Sequence, residues 1–304
     1  MLADKVIKML DAKQKSSYTG RMNRLPIAKR VQILSLLCEG SSMRSISRLV
    51  DVSINTVTRE LVLAGQACAD FHDQTVRNVQ SKRVQADEIW SFVEMKEKQA
   101  KRKAERPMHA GDCWTWTGID ADSKLIVSWY IGSRDANAAW VFMQDLSSRL
   151  ANRVQLTTDG HNAYLDAVDG AFGTSIDYAM LIKQYGTPPE AEKRYSPAVC
   201  LGTERRVVHG RPDPDHISTS YVERANLTMR MHMRRFTRLT NAFSKKFENH
   251  CHMVALYAVW YNFVRIHKTL RVTPAMEAGV IDHLCSFDDL VGIVDEWEAR
   301  EKTQ

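Results

Sequence analysis

The chain has 304 residues, 44% of them hydrophobic, and a formal net charge of +6. This length is enough for one large and one small domain, and the composition is that of a globular protein with a buried core. The longest apolar run, residues 253–261, is too short to span a bilayer, and charges interrupt the first ten positions, which argues against a signal peptide. The six cysteines lack CxxC spacing, so we expect reduced, mostly buried thiols, as in a cytosolic protein.

Charge is unevenly distributed along the chain. Residues 1–80 hold twelve Lys or Arg against seven Asp or Glu, and residues 224–246 hold seven basic residues and no acidic one. The tail, residues 281–304, has seven acidic residues against two basic ones. This pattern favours two surfaces that face nucleic acid and one that does not.

The amino-terminal segment has the pattern of three helices. Residues 26–38 carry apolar side chains along one helical stripe, residues 41–50 follow with a Ser cap, and a tight connection at 51–53 leads into a third helix. Two short helices around a three-residue turn, preceded by another helix, predict an all-α helix-turn-helix domain within residues 1–80.

In such a domain the outward residues at the start of the last helix face the major groove. Here these residues are Ser53, Asn55, Thr56 and Arg59. Because Asn and Arg can make bidentate contacts with adenine and guanine edges, we predict that this group binds DNA. The alternative is a plain three-helix bundle whose polar face is only solvated.

Beyond residue 82 the hydrophobic period changes from that of helices to that of strands. In chain order the pattern predicts a strand at 84–93, a charged loop at 96–107, a hairpin at 113–132 with its turn at 120–124, a helix at 135–150, a strand at 154–159 and a helix at 161–168. The alternation of strands and helices indicates an α/β domain.

Acidic residues occupy three marked positions in this pattern. Asp87 lies within the first strand, Asp159 ends the short strand before a glycine, and Glu223 opens a later helix. Each alone has an ordinary explanation, as a turn residue or as compensation of a helix dipole. Together they predict a two-ion site, since Mg²⁺ is held by few carboxylates and keeps positions for phosphate oxygens and water.

The helix that begins near Glu223 carries a polar stripe. Its members, at i, i+3, i+7 and i+11, are Glu223, Asn226, Arg230 and Arg234. A carboxylate, an amide and two guanidinium groups on one face are better suited to holding phosphates beside a metal than to an apolar core. The opposite side, with Leu227, Met231 and Leu239, is expected to face the sheet.

Three strands, a helix, a strand ending in an acid and a later helix opening with an acid is the order of an RNase H-like fold. We therefore predict an RNase H-like catalytic domain over residues 81–280, with a mixed five-stranded sheet and flanking helices. A long apolar helix after residue 247 is expected in the core. The acidic tail, residues 281–304, is expected to form a helix that docks on the body or on a second copy.

With these motifs the chain resembles the DDE transposases of bacterial insertion sequences, most closely the insertion-sequence-one family. The resemblance runs from about Arg83 to Gly279 and rests on DEIWSFV, TTDGHNAY, a long block that begins HISTSYVERANLTMR, and YNFVRIHKTLRVTPAMEAG. It implies Asp87, Asp159 and Glu223 as catalytic residues that bind Mg²⁺, with Mn²⁺ as a substitute, and a role beside them for Asn226 and Arg230. Basic residues on and after this helix complete the predicted DNA-binding set: Arg224, Arg230, Arg234, Arg235, Lys245 and Lys246.

The resemblance implies a transposase that binds the ends of an insertion sequence, cleaves their 3′ ends and joins them to target DNA. It also implies a homodimer or higher oligomer on DNA, in the bacterial cytoplasm and associated with the nucleoid. Two alternatives remain open at this point. One is an RNase H-like nuclease or resolvase without strand transfer, and the other is an inactive DNA-binding regulator, against which the presence of all three carboxylates argues.

Overall fold

The computed structural model describes residues 24–107, 109–186, 200–237 and 241–303. The α-helices are α1 (Ile27–Cys38), α2 (Met43–Val50), α3 (Ile54–Thr75), α4 (Glu97–Ala100), α5 (Ala136–Arg149), α6 (Ala163–Phe172), α7 (Ser220–His232), α8 (Phe247–Val259), α9 (Pro274–Glu277) and α10 (Phe287–Thr303). The strands are β1 (Arg83–Val93), β2 (Gly111–Asp120), β3 (Ile126–Gly132), β4 (Val154–Asp159), β5 (Ile176–Tyr185) and β6 (Cys200–His209). A π-helical turn, Trp260–Val264, follows α8.

The strands of the described residues form one mixed sheet in the order β3-β2-β1-β4-β5-β6. The pairs β1–β2, β2–β3 and β5–β6 are antiparallel, whereas β4 is parallel to β1 and β5 is parallel to β4. A three-stranded meander continued by two parallel strands beside its first strand is the RNase H-like arrangement. The predicted α/β class is therefore confirmed.

The sheet has six strands, whereas five were predicted. The additional edge strand, β6, is exposed along most of its length and carries charged residues at its centre. It therefore lacks the alternation of apolar and polar residues that identifies a half-buried strand in a sequence.

Helices cover the sheet on both faces. Helix α5 packs on β2 and β3, and α7 packs on β1 and β2. Successive residues of β1 point to opposite faces, so that Asp87 meets Asn226 of α7 while Glu88 meets Tyr164 of α6. The central strand thus presents neighbouring acidic side chains to both layers of helices.

The three predicted amino-terminal helices are confirmed as α1, α2 and α3. The hydroxyl groups of Ser42 and Ser53 cap α2 and α3, and Asp51 adopts a left-handed conformation, with φ of 53°, that ends α2 and allows the tight turn. Their assignment to a separate helix-turn-helix domain stays a prediction, because residues of these helices and of the sheet belong to one continuous hydrophobic core.

The carboxyl-terminal helices complete this core. Helix α8 is buried from His250 to Val259, as its apolar sequence predicted, and it packs along α3. Helix α10 lies against α1 and α3 with Leu290, Val291 and Val294 buried. The acidic tail therefore docks on the body, the first of its two predicted partners.

Within the described ranges, no helix combines the length and the apolar character needed to cross a bilayer. Five of the six cysteine thiols are buried and only Cys200 is exposed. This agrees with the predicted mostly buried thiols.

Candidate metal centre

Two of the predicted carboxylates meet where the parallel strands β1 and β4 lie side by side. The last paired residues of this ladder are Ala86 and Thr158, so Asp87 and Asp159 follow next to each other. Oxygens of Asp87, Glu88 and Asp159 all lie within 4.8 Å of one another. Strand pairing thus brings together two acids that are far apart in the sequence.

The Asp87 carboxylate lies on the face of the sheet covered by α7. The Asn226 side-chain amide donates a hydrogen bond of 2.8 Å to Asp87 Oδ2. Burial, together with the negative charges of Glu88 and Asp159, raises the pKa of Asp87 from 3.8 to about 7. Without a cation, this carboxyl group is therefore only partly ionised at neutral pH.

Glu88 is the acidic residue of the cluster that the sequence patterns did not single out. Its side chain is fully buried; Arg134 Nε donates to Oε1 at 2.5 Å, and the Tyr164 hydroxyl donates to Oε2 at 2.8 Å. Burial and the charge of Asp159 raise its pKa. Adjacency to Asp87 was the only signal in the sequence, because both partners lie on segments remote from β1.

Glu223 lies in the first turn of α7, as predicted. Its Oε1 accepts hydrogen bonds from the Lys183 ammonium group on β5 and from the Thr219 hydroxyl group. Glu223 lies outside the group of oxygens within 4.8 Å, although its charge adds to the raised pKa of Asp87. The fold thus places the third predicted carboxylate beside the cluster but pairs it with a lysine.

The donor atoms of this site suit a hard divalent cation. Asn226 is 4% exposed, and its Oδ1 accepts no hydrogen bond from the described residues. A buried acceptor without a partner is unfavourable by about 1–3 kcal/mol, and a cation or its bound water would satisfy it. Carboxylate and amide oxygens are the ligands that Mg²⁺ prefers. The residues present therefore fit the predicted ion.

The orientation of α7 differs from one expectation. Leu227 and Met231, which were expected to face the sheet, are 44% and 71% exposed, and that prediction was wrong. Val222, Ala225 and Met229 face inward instead. The helix turns its polar stripe toward the carboxylates, so small or slender side chains next to that stripe make the contact with the sheet. Leu239 lies outside the described residues.

The four residues predicted to read DNA lie at the start of α3. Ser53 caps the helix by accepting a hydrogen bond of 3.1 Å from the Thr56 amide. Asn55 is exposed, and Arg59 is partly buried with its guanidinium 3.3 Å from the Glu60 carboxylate. The position of these residues agrees with the predicted surface, and their role in binding stays a prediction.

The predicted basic residues near α7 fall into two groups. The exposed ones are Arg224, Arg234, Lys245 and Lys246. Arg230 is half-buried on the polar stripe, and the Arg235 guanidinium donates to Ser244 Oγ and to the Asn249 carbonyl. Arg235 is thus tied to the start of α8, which favours a structural contact there, whereas the exposed residues remain available to a ligand.

No protein-family model matches the chain, and no curated protein matches it. Among solved structures, the crystal structure of the Mos1 strand transfer complex matches over 96% of this chain and 82% of that chain, with 11% identity and a TM-score of 0.32. The cryo-EM structure of the piggyBac transposase synaptic complex with hairpin DNA matches over 96% and 75%, with 10% identity and a TM-score of 0.37. The fold of this chain is shown by its own strand order.

Proposed function

We propose that this protein is a DNA transposase that cleaves the 3′ ends of a mobile element and joins them to target DNA. The observation that carries the proposal is the meeting of Asp87 and Asp159 on adjacent parallel strands of an RNase H-type sheet, with Glu223 beside them. The sequence resemblance to bacterial insertion-sequence transposases, most closely the insertion-sequence-one family, supports strand transfer as the second step.

The proposed reaction needs no covalent protein intermediate. In the first step a water oxygen attacks the phosphorus at the element end, the bond to the 3′ oxygen breaks, and a 3′-OH is released. In the second step that 3′-OH attacks a target phosphodiester and displaces another 3′ oxygen. Divalent ions, Mg²⁺ or Mn²⁺, would supply activation of the attacking oxygen and stabilisation of the leaving oxygen.

The protein's own residues prepare the site for this chemistry. Asp87, Asp159 and Glu223 would hold the ions, and the Asn226 amide fixes the orientation of the Asp87 carboxylate. Lys183 holds Glu223 in the ion-free arrangement, and its ammonium group would lose at least part of this contact if Glu223 held a cation.

The DNA would be bound at two surfaces. The start of α3 is proposed to read the element end in the major groove through Ser53, Asn55, Thr56 and Arg59. The exposed basic residues Arg224, Arg234, Lys245 and Lys246, with Arg230 closer to the carboxylates, would hold the backbone near the site. The working unit is proposed to be a homodimer or higher oligomer on DNA, associated with the bacterial nucleoid in the cytoplasm.

The first experiment compares wild type and Asp87→Asn with labelled element ends and Mg²⁺. We expect the substitution to abolish cleavage, with a loss of more than about 10³-fold, because a carboxamide is a poor ligand for this ion. End binding in a gel-shift assay should stay within about threefold, since α3 lies elsewhere. Mg²⁺-dependent nicking by the variant at the wild-type rate would rule out the proposed site.

The same reaction separates strand transfer from simple hydrolysis. Supercoiled target DNA is added to pre-cleaved ends that carry a free 3′-OH, and joined products are scored by size. A transposase gives joined products, whereas a nuclease or resolvase gives only cleaved ends. A protein that binds DNA but gives neither product would be a regulator.

A further inference from the structure

Arg134 stands at the edge of the carboxylate cluster on a firmly held segment between β3 and α5. On one side the Trp116 indole N–H donates to the Ser133 carbonyl at 3.0 Å. On the other side Asp135 caps α5 by accepting a hydrogen bond of 2.9 Å from the Ala138 amide. The backbone that carries Arg134 is therefore fixed on both sides.

The Arg134 side chain is held in one orientation as well. Its guanidinium carbon lies 4.8 Å from the centre of the Trp114 ring, over the ring face. Its Nε donates to the buried Glu88 carboxylate at 2.5 Å, and Glu88 is held in turn by Tyr164. Stacking and a hydrogen bond to Nε together fix the plane of a guanidinium group.

The far edge of the guanidinium group remains accessible. Nη2 is 3.6 Å from Asp159 Oδ2, which is longer than a hydrogen bond, and the side chain is 38% exposed. Two oxygens of a phosphate match two N–H groups of an arginine fork. The Arg134 fork therefore points to the same place as the carboxylates and has donors left for a ligand.

A purely structural ion pair is the alternative explanation. Arg134 neutralises Glu88, which would otherwise be a buried charge beside two other carboxylates. Burial lowers the pKa of Arg134, but the hydrogen bond to Glu88 and the negative charges of Glu88 and Asp159 together outweigh it, and the pKa is raised. Burying an ion pair seldom adds stability over an uncharged pair of similar size. Stability alone thus gives no reason for a stacked, half-exposed arginine at this position.

We propose that Arg134 is a catalytic residue whose Nη groups bind the non-bridging oxygens of the scissile DNA phosphate. Glu88 and Trp114 are then positioning residues that hold the fork. The inference rests on the proposed function, because its ligand is the phosphodiester of the same site. Negative charge grows on those oxygens when the attacking oxygen bonds to phosphorus, and a fixed guanidinium stabilises that charge without rearranging.

The test uses the full chain, labelled element ends and Mg²⁺, and it measures kcat for cleavage and Kd for the ends. Arg134→Gln should lower kcat by about 10²- to 10³-fold while Kd changes less than about threefold. The kcat of Arg134→Lys should lie between those of the wild type and Arg134→Gln, since an ammonium group keeps the charge but loses the fork. Arg153→Gln is the matched control and should cleave like wild type, because it breaks an Arg–Asp pair at the opposite end of β4.

A double variant separates the two explanations. It is also informative if Arg134→Gln alone unfolds the chain by leaving Glu88 as a buried charge without its partner. Glu88→Gln with Arg134→Gln replaces the ion pair by a neutral pair of similar size. If Arg134 only neutralises Glu88, the double variant recovers wild-type cleavage, and the inference is overturned. If Arg134 binds the phosphate, the folded double variant stays at least about 10²-fold slow.

The remaining outcomes are also distinct. A folded Arg134→Gln protein that cleaves at the wild-type rate overturns this inference and leaves the proposed function intact. A wild-type protein that cuts no element end under any of these conditions overturns the proposed function, and the role of Arg134 falls with it.

Discussion

At the level of single residues, the site concentrates negative charge that the fold does not fully neutralise. Arg134 pairs with Glu88 and Lys183 pairs with Glu223, whereas Asp87 is left with an amide and a pKa raised to about 7. A group that is easier to ionise in the unfolded chain than in the folded one destabilises the fold once it loses its proton. Ionised Asp87 therefore destabilises the ion-free fold, as expected of a residue in the proposed cation site.

We therefore expect Asp87→Asn to make the ion-free protein more stable. At pH 8 in EDTA the free energy of unfolding should rise by roughly 1–4 kcal/mol, because the pKa of Asp87 lies near 7 in the folded chain and near 4 in the unfolded one. Urea unfolding from pH 8 to pH 4 measures the difference. The gain should be complete above pH 7 and should shrink as the pH falls through 6 and 5.

The control for this measurement is Asp169→Asn, at an exposed position on α6. Its effect should be small, and a pH-independent gain in both variants would contradict the assigned cause. Added Mg²⁺ should stabilise the wild type but not Asp87→Asn. The difference in free energy of unfolding between the two proteins should then become smaller or change sign.

At the level of secondary-structure elements, the contact between α3 and α8 depends on one glycine. A Cβ at Gly65 would lie 2.3 Å from His252 Cβ and 2.7 Å from the His252 carbonyl oxygen. These atoms belong to a buried helix and cannot move independently of it. The two helices therefore approach as closely as they do only because position 65 has no side chain.

We expect Gly65→Ala to lower the free energy of unfolding by about 3 kcal/mol, since the two helices must separate to admit the methyl group. The control is Gly292→Ala within α10, where a Cβ meets nothing within 4 Å. That substitution should be neutral or stabilise by about 0.5–1 kcal/mol, because alanine is the better helix former. Denaturant unfolding of both variants checks the pair, and equal effects would contradict the packing argument.

For helix α7, the sequence predicted the spacing of the polar face correctly but not which face of the helix contacts the sheet. The spacing of Glu223, Asn226 and Arg230 indicated a common face. Asn226 does contact Asp87, and the charge of Glu223 adds to the raised pKa of Asp87. An apolar side was assigned to the sheet by analogy with ordinary amphipathic helices, yet Leu227 is exposed. Because Asn226 of α7 bonds to Asp87 of the sheet, the opposite side of the helix with Leu227 is turned to solvent.

At the level of the whole molecule, one large hydrophobic core contains residues of the amino-terminal helices, the sheet and the carboxyl-terminal helices. Helices α1 and α3 contribute Ile33, Leu37, Leu61 and others to the cluster that contains Trp116 of β2. Helix α10 returns to this region, where Asp295 pairs with Arg24 and Arg30. Segments from both ends of the described chain thus stabilise each other.

This arrangement predicts a single cooperative unfolding transition. All seven tryptophans lie between residues 90 and 297, outside the first three helices, so their fluorescence reports on the rest of the molecule. Far-UV circular dichroism also reports on α1 to α3. The two urea curves should coincide, because loss of the shared core unfolds both parts. Two separated transitions would indicate that residues 24–80 fold as an independent unit.

Most helices and strands, and the candidate acidic residues, could be predicted from local sequence patterns. Hydrophobic period gave the positions of α1 to α3, the strands around Asp87 and Asp159, and the buried helix α8, because burial of one face imposes its spacing directly on the residues. The order of strands and helices was sufficient for the α/β RNase H-like class. The acidic residues were recognisable because each lies at the middle, end or beginning of an element.

The contacts between side chains of distant segments could not be predicted in this way. Arg134, Tyr164 and Lys183 come from three separate segments, and nothing in their local sequence indicates that they neutralise or hold the carboxylates. The sixth strand and the outward turn of Leu227 also depend on neighbours that are distant in the chain. Local period reflects a residue's own burial, whereas pairing of charges depends on strand register and helix rotation, which are set by the packed core as a whole.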